Sequence, residues 1–347
     1  MRLSLLAAAA LVTASCAHSP VRSEPSRPPE LELVAESPRQ WTGVAVSRQG
    51  RIFVNFPRWS DDVPVSVAEV KDGAIHPWPD TAWNSWTPGS AEPQRFVGVQ
   101  SVVIDDQDRL WVLDTGNAWF KGVIAPPRLH QFDLDGQLVR TYAFEPDISS
   151  GSSYLNDVRF DTRRGVAYLT DSQAGGLVVL DLKSGAARKV LREHPSTHAE
   201  DSGLTVMGKR LNRSIQSDGI ALSLDGDTLY WTVLTGHSLW RIPTQALRDP
   251  SLTDEALAQQ LERVATIVAT DGILFDRHGT LWLGGLEDSS IARYVPGSAY
   301  EPVIQDARLR WPDSFAEGPE GKIYVTTTQI HLPPAERGPY GIYRFTP

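Results

Sequence analysis

The chain has 347 residues, enough to bury one large β domain or two ordinary ones. Its 27 Gly, 25 Pro and 11 Trp are spread along the length and only one stretch reads as a helix, a profile of many short strands joined by turns. The formal charge of −9 becomes one unit more negative without the first fifteen residues, whose only charge is Arg2; such a surface repels nucleic acid and anionic lipid and excludes both as partners of the folded body.

Arg2, the apolar run 3–12 and the small residues Thr13-Ala14-Ser15 form a secretory signal too short to span a membrane. Cys16 follows directly, and this junction resembles the lipobox of bacterial lipoproteins, in which that cysteine is lipidated. Thr13 stands where Leu is usual, and cleavage after Ala17 is the alternative. The expected location is therefore the cell envelope as a lipoprotein, or the medium. Cys16 is the only cysteine, so no internal disulfide can form. Residues 1–16 are read as signal and anchor, 17–30 as a Pro- and Ser-rich tether, and 31–347 as one body.

Within the body one pattern recurs six times: a polar residue, an alternating apolar strand, a Gly/Asp turn and a second apolar strand. The copies open at Thr42, Gln100, Asn156, Asp218, Asp271 and Asp313, at steps of 58, 56, 62, 53 and 42 residues. A third apolar segment follows each pair, at 65–70, 129–134, 177–182, 238–242, 291–295 and 342–345. The predicted fold is all-β: a six-bladed β-propeller with four-stranded blades. The last copy runs out of chain before its fourth strand, and residues 31–34 precede the first copy without a partner. Pairing the two closes the ring and satisfies both open backbone edges. Residues 253–265 read as a helix inserted after the fourth blade's third strand, with Ser251 and Asp254 spaced as a capping pair.

Trp78, Trp83 and Trp86 lie in a Pro-rich connection, where three indoles can form an aromatic lid on a ligand or serve as packing anchors. The Asp105-Asp106-Gln107-Asp108 stretch is read as a strand-joining turn rather than a calcium loop, because it lacks the loop's Gly and distal Glu. His194 and His198 are separated by Pro195 and Ser196, which deny them a common helical face and make a polar loop the better reading.

The innermost strand of each propeller blade lines the axis, so the six opening residues converge on one mouth of the channel. Three are carboxylates, and convergent oxygen ligands suit a hard divalent cation, Ca²⁺ or Mg²⁺. An Asp-Gly pair at a strand start is also ordinary turn chemistry, but turns do not require the same polarity in every blade. There is no Gly-rich phosphate loop, nucleophile-elbow serine or Cys/His pair, so covalent catalysis and a nucleotide or organic cofactor are not expected.

Several stretches carry a family resemblance: Arg109-Leu110-Trp111-Val112-Leu113-Asp114-Thr115-Gly116-Asn117, Ser217-Asp218-Gly219-Ile220-Ala221-Leu222, and Leu309-Arg310-Trp311-Pro312-Asp313. From about Trp41 to the C-terminus the chain resembles the yellow/major royal jelly protein family, which includes ligand-binding, nutritive and pigmentation proteins. More distantly, Leu155-Asn156-Asp157, Ser217-Asp218-Gly219 and Thr270-Asp271-Gly272-Ile273 are similar to channel motifs of the regucalcin/gluconolactonase propellers. That likeness implies one divalent cation on Asp218 and Asp271, with Asn156 contacting the substrate. Those enzymes carry a metal-binding Glu where this chain has Thr42; the second-blade position is Gln100, and Asp313 is the carboxylate left to complete the site.

The expected function is accordingly action on a small molecule at the channel mouth. One form is metal-dependent lactone or ester hydrolysis, with Asp218, Asp271 and Asp313 holding the cation, Asp157 or Asp313 as base, and Thr42, Gln100 and Asn156 contacting substrate. A dopachrome-type isomerisation is another form. The alternative is non-catalytic capture of an aromatic amine or similar molecule under the loop that carries Trp78, Trp83 and Trp86. A monomer is expected, touching membrane only through its N-terminal lipid.

Overall fold

The computed structural model describes residues 29–90, 94–200 and 203–347. Six four-stranded antiparallel sheets follow one another in the chain, as the six repeats require. The innermost strands are Val44–Val46, Val99–Ile104, Leu155–Asp161, Ser217–Leu222, Ile273–Phe275 and Pro312–Glu317. The second strand of each blade is almost wholly buried, Leu110–Asp114 and Val166–Asp171 being examples, because both of its faces meet a neighbouring blade.

The turn between the first two strands is built by side chains. Asp105 accepts the amides of Gln107 and Arg109 on one carboxylate oxygen and the indole N–H of Trp111 on the other. Asp276 repeats this in the fifth blade with His278, Thr280 and Trp282. The Asp105 stretch is thus the turn expected of it, its carboxylate spent on the local backbone.

The sixth sheet is completed by the other end of the chain. Glu32–Ser37 pairs antiparallel with Tyr340–Phe345, with Leu33 opposite Tyr343 and Ala35 opposite Ile342. The closing strand is two residues longer than the sequence suggested. Trp41, fully buried just after it, donates its indole N–H to the carbonyl of Gly341 and pins the joint.

The helix expected over 253–265 is mostly absent. Only Asp254–Ala258 is helical, capped by the Thr253 hydroxyl, while Glu262–Thr266 is the outer strand of the fourth blade, paired with Ser238–Pro243. An unpaired blade edge takes more hydrogen bonds from a strand than a surface helix can return, so tertiary pairing overrides the local periodicity. Asp254 accepts the amides of Leu191 and Arg192 in the neighbouring blade instead of forming the expected capping pair. A short hairpin, Leu204–Val206 with Lys209–Leu211, is an addition that the repeat pattern did not reveal. Among the described residues no helix is long and apolar enough to cross a membrane.

The core is divided by interface, one apolar cluster between each pair of successive blades. Trp111 stacks on Phe160 at 4.2 Å between the second and third blades, and Trp282 meets Phe345 edge-on at 5.1 Å between the fifth and sixth. Between the first and second blades His130 is packed among Trp83, Phe96 and Phe132, its Nδ1 on the Thr141 hydroxyl and its Nε2 without a partner. Burial, with a smaller effect of Arg128, pushes this imidazole down to about 3, and burial holds His331 down to about 4.

Both histidines are neutral in the fold but take up a proton when released, so their stabilisation is complete above about pH 6.5 and is lost as pH falls toward those depressed values. A His130→Leu variant should therefore show a shallower loss of stability on acidification than the parent, by roughly 1.4 kcal/mol per pH unit below about pH 6. Urea titrations at several pH values read this directly; parallel acid limbs would refute it.

Candidate functional site

The polar column reaches the channel mouth because the innermost strands are bulged there. In four blades the pairing gains one extra residue, between Val99 and Ser101, Leu155 and Val158, Ser217 and Ile220, and Pro312 and Phe315. A bulge re-aims the side chains it contains, here Gln100, Asn156, Asp218 and Asp313. In the first, fourth and fifth blades the next residue is glycine, and the reason is space. A Cβ on Gly219 would lie 2.2 Å from the carbonyl oxygen of Asp271, and one on Gly272 would lie 2.3 Å from that of Asp313. Side chains of one blade also hold the column backbone of the next: Asn55 Nδ2 donates to the Gln100 carbonyl, Thr170 to that of Asp218 and Thr326 to that of Thr42.

Above this column lies a cavity of about 790 Å³. Its floor is Gln100, Asn156, Asp218, Asp271 and Asp313, and one wall is a run of three stacked rings. Trp59 lies 5.5 Å from Phe120, and Phe120 lies 5.2 Å from Tyr154. Phe120 is half exposed at the mouth, while Tyr154 is buried at the depth of the floor.

The three aspartates are nearly inaccessible, at 2%, 7% and 4% exposure, and among the described residues none forms an ion pair. Burial raises all three carboxyls well above the usual carboxylate range, and their mutual repulsion adds to it. Asp218 and Asp271 are in hydrogen-bond contact with each other. Asp218 Oδ2 also accepts Asn156 Nδ2 at 2.9 Å, Asp271 Oδ2 accepts the indole N–H of Trp311 at 2.7 Å, and Asp313 Oδ1 accepts the Ser314 hydroxyl at 3.0 Å. Trp311 is held in turn by a near-parallel stack on His331 at 5.9 Å.

The model of the family described as "Major royal jelly protein" matches residues 97–310, well over half of the chain. The chain belongs to the major royal jelly protein family. Among curated relatives it is 23% identical to major royal jelly protein 5 of Apis mellifera, covering 83% of this chain and 49% of the bee protein. It is also 23% identical to protein yellow of Drosophila yakuba, over 63% of this chain and 44% of that protein. The chain thus spans about half the length of the curated relatives it matches. Among solved structures it resembles XC5397 of Xanthomonas campestris, described as a gluconolactonase, with a TM-score of 0.59 at 15% identity over 92% of this chain and 89% of the other. It also resembles a regucalcin from Agrobacterium tumefaciens, described as calcium-binding, with a TM-score of 0.55 at 14% identity over 90% and 93%. These likenesses are of fold.

In this royal jelly family member the cavity floor unites five of the six predicted column residues, four of them inside the matched stretch. Thr42 is not among them. It is fully buried, its hydroxyl donating to the Gln100 carbonyl and accepting Asn55 Nδ2, so it has nothing left for a substrate. Asp157 does not line the cavity either: it is paired with Arg159 at 2.9 Å and accepts the Ser101 hydroxyl, while Arg159 reaches across to the carbonyl of Ile273. A carboxylate so engaged is a poor base.

Trp83 and Trp86 are packing anchors rather than a lid. Trp83 packs at about 5 Å against Phe96 and Phe132, and Trp86 lies under the Arg58 guanidinium beside Trp119. The aromatic wall is instead Trp59, Phe120 and Tyr154. Tyr154 and Trp311 each stand two residues before a column residue, a spacing that could have flagged them; Trp59 and Phe120 come from irregular loops and carry no sequence signal. His194 accepts the Ser196 amide and caps a single turn, as a polar loop residue does. Cys16 and the secretory segment lie outside the described residues.

The fit to a cation is poor. Among the described residues no group of three or more His, Cys, Asp or Glu is placed to hold a metal ion. Two of the three carboxyls already each give one oxygen to an N–H donor, and the position of the expected Glu is the spent Thr42.

Because Gly219 abuts the Asp271 backbone, Gly219→Ala should cost roughly 1–3 kcal/mol as the fourth and fifth blades are forced apart at the axis. Chemical denaturation of this variant beside a control Gly151→Ala is the check, since a Cβ on Gly151 meets nothing within 4 Å and its φ lies outside the left-handed region. Equal stabilities would refute the close approach, because Gly151 pays neither a clash nor a backbone cost.

Proposed function

We propose that this protein recognises a small aromatic molecule carrying a basic nitrogen, bound in the channel mouth. The observation that carries the reading is the floor of three buried carboxyls that form no ion pair among the described residues, set against three stacked rings. Burial without a counter-charge is costly for a carboxylate, and a ligand ammonium supplies the missing charge without needing the closed ligand shell of a metal. The rings add a flat apolar face of the kind that holds an aromatic group by stacking or cation–π contact.

A second reading, catalysis, is favoured by the contact between Asp218 and Asp271. Two carboxyls so placed can hold a proton between them, and then one member donates while the other accepts, which is the equipment of an isomerase that moves a proton between two atoms of its substrate. Metal-dependent lactone hydrolysis, suggested by the structural neighbours, is disfavoured by the donor set. Export and lipid anchoring at Cys16 belong to the same proposal, with palmitate incorporation abolished in Cys16→Ala as the expected result.

Titration of the purified protein with tryptamine, followed by Trp fluorescence and calorimetry, tests the main reading. Saturable binding is expected, weakened tenfold or more, about 1.4 kcal/mol, in Asp271→Asn/Asp313→Asn. Chelator should leave it unchanged. Undiminished affinity in the double variant would refute the carboxyl floor as the recognition element. Loss of binding with chelator would return the site to a divalent cation. Chromatography of the same mixtures separates the two readings, because a binder returns its ligand intact and an isomerase does not.

A further inference from the structure

Among the floor residues, Gln100 is the one whose hydrogen-bonding polarity is dictated by its neighbours. It is 93% buried and lines the cavity, and its side-chain oxygen lies 2.8 Å from the Tyr154 hydroxyl. That hydroxyl is itself 2.8 Å from the indole nitrogen of Trp59. An indole N–H can only donate, so Tyr154 accepts from Trp59 and must spend its single proton on Gln100 Oε1. Burial raises the Tyr154 hydroxyl well above its ordinary value, so that proton stays in place. The chain Trp59 to Tyr154 to Gln100 therefore runs in one direction only, and it fixes the Gln100 amide with its Nε2 group turned away from Tyr154. Among the described residues that NH₂ makes no hydrogen bond to the protein, and Gln100 lines the cavity.

The rest of the floor presents oxygens to the cavity. The Asn156 amide nitrogen is spent on Ser172 Oγ and Asp218 Oδ2, each at 2.9 Å, which leaves its oxygen free. Asp313 has one oxygen on the Ser314 hydroxyl. The second blade stands opposite the fifth around the six-membered ring, so the Gln100 amide faces the carboxyl side across the axis.

Resting on the amine reading above, we propose that Gln100 is a specificity-determining residue, selecting aromatic amines that also carry a hydroxyl or carbonyl oxygen to accept its amide N–H. The nitrogen lies toward Asp218, Asp271 and Asp313, the oxygen toward Gln100, and the ring against Trp59, Phe120 and Tyr154. Trp59 and Tyr154 then have two roles, one through their ring faces and one through the proton chain that orients the amide. An oxygen-free amine covers that N–H without accepting from it, and the site discriminates against it for that reason.

Calorimetric titration of the full chain with phenylethylamine and with its β-hydroxy derivative, plus tyramine to place the oxygen on the ring, is the test. At least one oxygen-bearing amine should bind roughly three- to tenfold more tightly than phenylethylamine. Gln100→Leu should erase that preference. Tyr154→Phe, which keeps the ring stack but removes the hydroxyl that orients the amide, should reduce it. Thermal midpoints confirm that both variants are folded, and Tyr154→Phe suffices if Gln100→Leu is not. Equal affinity for all three amines in the parent, or a preference that survives the folded variants, overturns the inference while leaving the amine reading intact. Failure of all three amines to bind overturns both.

Discussion

A ring of separately paired sheets holds its shape only if it closes, and closure here rests on one antiparallel pairing between the two ends of the body. Glu32–Ser37 supplies the outer edge that the last blade lacks, and Trp41 locks the turn into the first blade by its contact with Gly341. With the circle closed, each apolar sheet is covered on both faces by its neighbours, which is why the core is divided into interfaces rather than gathered at one centre. The axis is the one place where six strands approach each other without a sheet between them.

Crowding at the axis shapes the site. Main chains approach so closely that glycine follows the column residue in three blades, and bulges turn the column side chains inward in four. Hydroxyl and amide side chains from one blade tie down the column carbonyls of the next, so the floor is fixed from behind by bonds on the side away from the cavity. Three carboxyls then stand together, buried and without an ion pair among the described residues. Such an arrangement is unfavourable for folding and is tolerated where the wider ring holds it, a mark of a site kept for chemistry or recognition.

The other half of the site is aromatic and is assembled from remote parts of the chain. Trp59 belongs to the loop after the first blade's second strand, Phe120 to that of the second blade, and Tyr154 to the entry of the third. Their stacking joins three blades at the rim, and the proton chain from Trp59 through Tyr154 couples that wall to the floor at Gln100. One set of residues therefore supplies both an apolar face and a polar orientation.

The sequence by itself determined the blade count, the strand pairs, the closing strand and the polar column, because each depends on a local period of two and on a repeat the eye can align. The turn at Asp105 was legible for the same reason. It was silent or misleading wherever the outcome depended on partners distant in the chain. Residues 262–265 continue a helical pattern yet form a strand, because the fourth blade's open edge lies beside them. Trp83 and Trp86 sit together in sequence as a lid would, but the space between the first two blades takes them; Trp59 and Phe120, in unpatterned loops, are carried to the cavity instead. Asp157 and Thr42 read as site residues until Arg159 and Asn55 meet them across the fold. Periodicity fixes what a residue's own strand does. Which side chains remain free to meet a ligand is fixed only when every neighbour brought in by closing the ring has taken its share of the hydrogen bonds and charges.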